Sequence, residues 1–434
     1  MLGSKSWPGR PAHTRERPAG IVQTWPHELP HAAPQAPRHE RTLESAALVL
    51  GLCYAAALFQ RLAFQGVGRH LAGDFALDGI ELADLGASFF WAYLILMIPC
   101  GILVDTLGPR RMAIFGALLS CAGCAIFAGS NGLLHLTVAR MAIAAGGAFM
   151  FVCMMRFIVS SFPNRKTTMS GRGILVGNLG AIAAGAPLAL VLTQMHWREV
   201  WASLAVGWLM LAILVRDRMP ADSGGPLASM QPANLAYQLK AVFGSWQTYI
   251  GILILAGLAG TYWAFANLAA PRLLALQELS AVESGIAISI LVLGYAIGAA
   301  SWGWLGDRVG REALLTAACT LNCCTWLALG WVGPLSLTLA GALFFVAGFG
   351  SGAFGLLYAM LTERHLPSHG GMVIASVNCG IPLGAAVAQA AVGRLDGDAM
   401  MLPLIVGSLV AVFASLALWS VRRWRLPAIV TRLA

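Results

Sequence analysis

Three arginines, Arg61, Arg140 and Arg156, lie inside long apolar stretches of this 434-residue sequence. A guanidinium is a permanent, planar cation whose forked N–H groups match a carboxylate or phosphate in two-pronged fashion. In hydrocarbon such a charge costs at least ~2.5–3.5 kcal/mol on insertion scales, so each arginine has to face an interior and normally has a partner. No Asp or Glu falls clearly within the same stretches, since Glu44, Asp105, Glu283 and Glu363 mark their ends. A core holding two or three guanidiniums and no carboxylate has a net positive potential, and an anionic ligand can supply the counter-charge. Anion binding is therefore the chemistry these residue types suggest. Arg61 and Arg156 are the leading candidates, and Arg140 is either structural or binding. The alternative is that each cation pairs with backbone carbonyls or tyrosines, or snorkels to an interface. Gln60, Tyr262, Asn267, Tyr358 and Asn378 are neutral groups able to orient a ligand, though each alone also serves as polar contact between helices.

The elements that must position these residues follow from composition. Hydrophobic residues make up 58% and charged residues 11%, against roughly 25% charged in an ordinary soluble domain. Apolar runs of 18 or more residues recur, which is the signal of spanning helices rather than of a β-barrel. The expected fold is all-α and polytopic, with twelve transmembrane helices in two pseudo-symmetric six-helix bundles. The first six lie at about Glu44–Gly66, Ala83–Asp105, Met112–Gly129, Leu133–Ile158, Ser170–Leu192 and Arg198–Val215. The second six lie at about Gln247–Leu268, Glu283–Leu305, Ala313–Val332, Leu335–Leu361, Met372–Val392 and Met400–Val421. Residues 44–215 and 244–423 are the expected bundles, joined by a connector at 216–243 and ending in a tail at 424–434. Residues 1–43, rich in Pro, His and Arg and without an apolar core, are expected to be a disordered tail rather than a signal peptide.

The net charge is +9, but its placement carries more information. The two tails and the loops after the even-numbered helices hold most of the basic residues. The opposite loops hold Arg69, Arg198, Arg272 and Arg394. By the positive-inside rule both termini are expected in the cytoplasm, with the chain in an inner membrane. The nine cysteines lie mostly in apolar runs and serve as small hydrophobes. The pair Cys121 and Cys124 has a metal-like spacing but no second pair, and packing is the better reading. Gly341–Gly355 is glycine-rich but lacks the lysine of a phosphate-binding loop. No nucleotide site, metal constellation or nucleophile–base set is visible. An enzyme, a cofactor and a nucleic-acid partner are therefore not expected. The expected partners are the bilayer and a small-molecule substrate, with the chain acting as a monomer.

An internal repeat binds the two halves together. Gly101, Leu103, Asp105 and Gly108 are followed by Arg110 and Arg111, and Gly303, Leu305, Asp307 and Gly310 are followed by Arg311. The offset is a constant 202 residues. With six-plus-six helices, this G-x-L-x-D-x-x-G-x-R-R pattern after helix 2 and its weaker copy after helix 8 resemble the major facilitator superfamily. The resemblance covers helices 1 to 12. It implies two six-helix bundles, a central site near mid-membrane and alternating access by rocking of the bundles. It also implies a gating role for Gly101, Asp105, Gly108, Arg110, Arg111, Asp307, Gly310 and Arg311. In that role Asp105 bridges to the positive start of helix 11 in one state and loses it in another. The bland alternative is that the arginines only hold the loops in the cytoplasm. Helix 5 reads GNLGAIAAGAP from Gly177 to Pro187, which departs from the family's antiporter signature because Ala186 separates glycine from proline.

The run Tyr54–Phe64 is similar to the helix 1 arginine region of the organophosphate:phosphate antiporters. Those proteins also carry an arginine in helix 7, where this chain has Tyr262, Trp263 and Asn267 but no base before Arg272. A broader organic anion, such as a carboxylate, is therefore expected over a phosphate ester. The substrate class expected is a small organic anion. The competing possibilities are an exporter of a larger amphiphile, such as a siderophore or drug, and a non-transporting membrane sensor. No acid or histidine occupies a clear mid-span place, which favours exchange or facilitated anion movement over proton coupling.

Overall fold

The structure is a computed structural model and describes residues 36–162, 165–221, 240, 242–331, 333–362 and 370–420. Twelve of its helices are long and apolar enough to cross a membrane. They are α1 (Arg41–Phe75), α2 (Gly79–Leu107), α3 (Pro109–Ala128), α4 (Leu133–Ser161), α5 (Met169–Val191) and α6 (Trp197–Arg218). The second six are α7 (Trp246–Leu276), α8 (Ala281–Gly306), α9 (Arg311–Trp331), α10 (Leu337–Leu361), α11 (Val373–Gly393) and α12 (Ala399–Ser420). Several run beyond the apolar stretch that announces them. Residues 36–43, expected as tail, are helical, and α1 continues to Phe75 rather than stopping near Gly66. Hydropathy marks only the hydrocarbon-length core, while polar ends continue as helix into water. The connector and the chain ends at 222–239 and 421–434 lie outside the described residues, as does the tail up to residue 35.

The 202-residue repeat extends further than the loop motif. The helix Gly79–Leu107 has its counterpart in Ala281–Val309, each of 29 residues. Each begins with a reciprocal capping box, Asp78 with Glu81 and Ser280 with Glu283. In both, the side chain and the glutamate satisfy backbone N–H groups that have no partner within the helix. Each helix also ends on a glycine with positive φ, Gly108 at 92° and Gly310 at 106°. Only glycine adopts that conformation cheaply, and it lets the chain reverse directly into α3 and α9.

Small residues set the helix spacing. A Cβ on Gly146 would lie 2.2 Å from Ser120 Oγ, which brings α4 against α3. One on Gly348 would lie 2.0 Å from Leu291 O, which brings α10 against α8. Apolar tails gain little by leaving lipid for protein, so backbone-to-backbone packing of this kind holds such bundles together. Several spans are not continuous α-helix, α11 among them, with a turn at Cys379. α5 breaks at Ala184–Gly185, just before Pro187. α10 breaks near Gly352. α7 contains two wide π-turns, Ala256–Gly260 and Phe265–Ala269, on either side of Thr261–Ala264. Such turns commonly mark functional positions.

The halves meet chiefly at the end of the spans away from the Gly108 and Gly310 turns. There α2 packs on α11, and the end of α5 packs on α8. Arg394, just past α11, forms a two-pronged ion pair with Asp84 of α2, both N–O distances being 3.0 Å. The carboxylate raises the guanidinium above its ordinary pKa, first by hydrogen bonding and then by charge. The break in α5 frees backbone groups that Ser289 of α8 takes up. Its Oγ accepts from Ala186 N at 3.1 Å and donates to Ile182 O at 3.3 Å. Backbone polar groups at membrane depth require such partners. This far end is therefore sealed.

Replacing Gly348 by Leu is expected to destabilise the purified protein by about 1–3 kcal/mol through overpacking. Gly303→Ala, where an added Cβ meets nothing within 4 Å, is expected to be close to neutral. Thermal unfolding of the two variants in one detergent checks the contrast, and equal melting temperatures would contradict the packing account.

Candidate functional site

Arg61 lies near the middle of the bundle, between helices of both halves. Its guanidinium carbon sits over the ring of Tyr93 at 4.5 Å, Trp263 at 4.8 Å and Phe89 at 5.7 Å. Phe89 and Tyr93 come from α2, one turn apart and stacked at 6.2 Å. Trp263 comes from the α-helical segment between the two π-turns of α7. Each desolvated cation–π contact contributes up to about 2 kcal/mol, enough for three rings to hold the charge at membrane depth. Ring faces do not use N–H groups. Arg61 makes no hydrogen bond or ion pair to any described residue, and its Nε is buried without a partner. The result is a half-buried cation with its faces covered by rings and its Nε donor unused.

A ladder of aromatic rings continues from this cage through the second half. Tyr262 stacks on Tyr295 at 4.7 Å, Tyr295 on Phe354 at 5.5 Å, and Phe354 meets Tyr358 edge-on at 5.8 Å. Tyr358 Oη donates to Asn378 Oδ1, and Asn378 Nδ2 reaches Met97 Sδ of α2 at 3.8 Å. Tyr295 also meets the edge of Trp263 at 6.4 Å, which joins the ladder to the rings over Arg61. Of the binding residues expected from the sequence, Arg61, Tyr262, Tyr358 and Asn378 are thus brought into one connected cluster. Phe89, Trp263 and Phe354 join them. An aromatic residue in an apolar helix gives no sign of which way it faces, so their part is visible only in three dimensions.

Gln60 and Asn267 are placed differently. Gln60 is buried against α3, where its Nε2 donates to Cys124 Sγ. Asn267, in the second π-turn, donates to Trp263 O at 2.9 Å. It braces the residue that covers Arg61 rather than pointing at the cation.

Arg156 is a correction. It was expected as a membrane cation without a carboxylate, but its Nε lies 2.9 Å from Asp105 Oδ1. Both side chains are 42% exposed, near the turn that joins α2 to α3. Asp105 sits at the end of its span, and four helical turns of α4 carry Arg156 from Arg140 to the same level. Arg156 therefore lies with the Asp105 motif and not with the central cluster. In this state Asp105 is engaged by Arg156, and residues 363–369 before helix 11 lie outside those described. Arg110 Nη2 donates to Arg216 O at 2.6 Å, tying the motif to the end of α6. Arg111 and Arg311 also have interactions in the structure. The side chain of Asp307 lies outside the described residues. Neither Gly101 nor Gly303 has a neighbour within 4 Å of an added Cβ.

Arg140 is 1% exposed. It sits over Phe64 at 4.0 Å and Phe89 at 4.9 Å, and Nη2 donates to Gly86 O at 3.3 Å. It shares the Phe89 ring with Arg61, so two cations flank one aromatic residue without a carboxylate. It is enclosed between α1, α2 and α4, and its charge adds to the positive potential of the centre.

A many-span helical protein with a cationic, aromatic-walled centre, sealed at one end by contacts between its halves, has the architecture of a membrane transporter. The Major Facilitator Superfamily model matches residues 50–389 and, in a second match, 252–430, and the chain belongs to that family. It is 28% identical over 200 residues to the Uncharacterized MFS-type transporter YhhS of Escherichia coli K12, covering 39% of this chain and 46% of that protein. The alignment thus spans about half of that relative's length. A Probable L-galactonate transporter of the same organism is 22% identical over 310 residues, covering 67% and 65%. Among solved structures, a bacterial homologue of the human lysosomal transporter Spinster, in an inward-facing and occupied conformation, superposes with a TM-score of 0.69. It shares 15% identity and covers 89% of this chain and 97% of that one. These relatives are transporters and not enzymes.

Neutralising Asp105 to Asn or Arg156 to Gln is expected to cut transport several-fold while changing stability by less than ~1 kcal/mol, because the pair is half-exposed. The double reversal Asp105→Arg with Arg156→Asp should recover part of the loss. Uptake into proteoliposomes, compared with melting temperature, checks this. No recovery in the reversed pair would mean that the contact itself does not matter.

Proposed function

We propose that this transporter carries a small organic anion, whose carboxylate binds in the plane of the Arg61 guanidinium while the aromatic ladder lines the rest of the site. The carrying observation is that Arg61 is half-buried, covered by rings on its faces, and has a buried Nε with no partner among the described residues. Leaving charged donors unmade in a low dielectric is costly, and a carboxylate answers that need with two charge-assisted bonds. The Probable L-galactonate transporter supports a sugar-acid type of substrate, since galactonate pairs a carboxylate with hydroxyls suited to Tyr262, Tyr358 and Asn378.

The basic end of the molecule is the cytoplasmic one in this proposal, on the strength of the arginine bias. The sealed far end then faces outward, and the site exchanges with the cytoplasm. Alternating access requires the Asp84–Arg394 pair and the Ser289 contacts to open together, while Asp105 and its neighbours rearrange at the other end.

A panel of organic acids including D-galactonate tests the reading by thermal stabilisation. A ligand at a hundred times its dissociation constant raises stability by about 2.7 kcal/mol. Arg61→Lys keeps the charge but loses the fork, and is expected to weaken binding at least tenfold, about 1.4 kcal/mol. Arg61→Gln should abolish it. Undiminished affinity in both variants for every anion that binds would refute the proposal. Neutral amphiphiles carried equally well by wild type and Arg61→Gln would point to an exporter instead. Asp84→Asn is expected to raise the labelling of central residues by impermeant reagents added outside.

A further inference from the structure

The four arginines at the far end are not used alike. Arg198 donates to Ala128 O and Ser130 O at the end of α3. Arg272 donates to Val392 O and Leu395 O and pairs with Asp396. Arg394 pairs with Asp84. Arg69, exposed near the end of α1, makes no hydrogen bond, ion pair or ring contact with a described residue. It lines a cavity of about 250 Å³ together with His70, Gln65, Thr193 and Ser284. No carboxylate lines this cavity among the described residues. Ser284 is 7% exposed, yet its hydroxyl has no partner. A buried, unpaired hydroxyl and an unpaired guanidinium sharing one cavity are the donor set for an oxyanion.

The position of the cavity gives the donors a use. Gln65 Nε2 donates to Ala184 O at 3.0 Å, next to the break in α5. Gly285, which also lines the cavity, packs against Ala186. The floor of the cavity is therefore the α5–α8 seal itself. Its walls come from both halves, Arg69 and Thr193 from the first and Ser284 from the second.

We propose that this cavity is an external anion site, distinct from Arg61, that holds a small carboxylate directly above the closed α5–α8 seal. It rests on the proposed function for the identity of its occupant and for the outward facing of the sealed end. An anion held here touches both halves and is the first bound on the outer approach to the centre.

The test uses the full chain in right-side-out vesicles, with Thr193→Cys as a reporter and Cys324→Ser to remove the exposed native thiol. The thiol is reacted with an anionic and a cationic methanethiosulfonate reagent, each rate normalised to that with a small free thiol. The anionic reagent is expected to be favoured roughly tenfold, as for charge focusing in a cleft. Arg69→Gln should remove the preference, Arg69→Lys should keep it, and external millimolar D-gluconate should slow the reaction. Repeating the measurement with Arg61→Gln should change nothing, which separates this site from the central one. Equal normalised rates, a preference that survives Arg69→Gln, or no slowing by gluconate would each overturn the proposal.

Discussion

A permanent charge in a low-dielectric core has to be compensated, and the organisation of this protein follows from how Arg61 is compensated. Three rings supply the attraction that water would have supplied, and they come from helices on opposite sides of the central axis. Because the cage draws Phe89 and Tyr93 from α2 and Trp263 from α7, any rocking of one half against the other changes the environment of the cation. An occupant that pairs with the guanidinium would be felt by both halves at once. Under the proposed function, a binding event at the centre would act on the global state through differential contact and not through distance.

The two ends of the molecule use charge in complementary ways. At the far end Asp84 and Arg394 join the halves across the seal. At the motif end Asp105 and Arg156 lie within one half. The same kind of pair therefore closes one end and leaves the other end free to part. Arg140 shows the opposite strategy, a cation fixed by rings and one carbonyl and fully enclosed. Its neighbour across Gly86 is Gln389 of α11, whose amide is buried with both polar atoms unpaired. That unsatisfied amide makes the sealed arrangement less stable than its close packing alone would suggest.

The architecture was legible in the sequence because its signals are one-dimensional. Span length, arginine bias and the 202-residue spacing survive without any contact information. The capping boxes at Asp78 and Ser280 were also there to be found, as D-x-x-E and S-x-x-E at the repeat offset. The site was less legible. Arg61 stood out because a charge in an apolar run has few explanations. Arg156 looked the same by composition, and only its depth along α4 places it beside Asp105 rather than in the central cluster. Gln60 and Asn267 show the same limit, for a polar side chain in a span is as easily a brace as a ligand contact. Phe89, Trp263 and Phe354 could not be picked from the many aromatic residues of the chain, since orientation about a helix axis decides their roles.

The paired wide turns of α7 have a consequence for how the family's sequences line up. A π-turn closes its hydrogen bond one residue later than an α-turn, so each behaves as a single-residue insertion that the helix has absorbed without breaking. Two of them in series rotate Tyr262 and Trp263 relative to both ends of the span. A homologue lacking these turns would present other residues to Arg61 even at equal length. Its correct alignment would then need a one-residue gap on each side of Thr261–Ala264, in the middle of a membrane helix, where insertions are not usually sought.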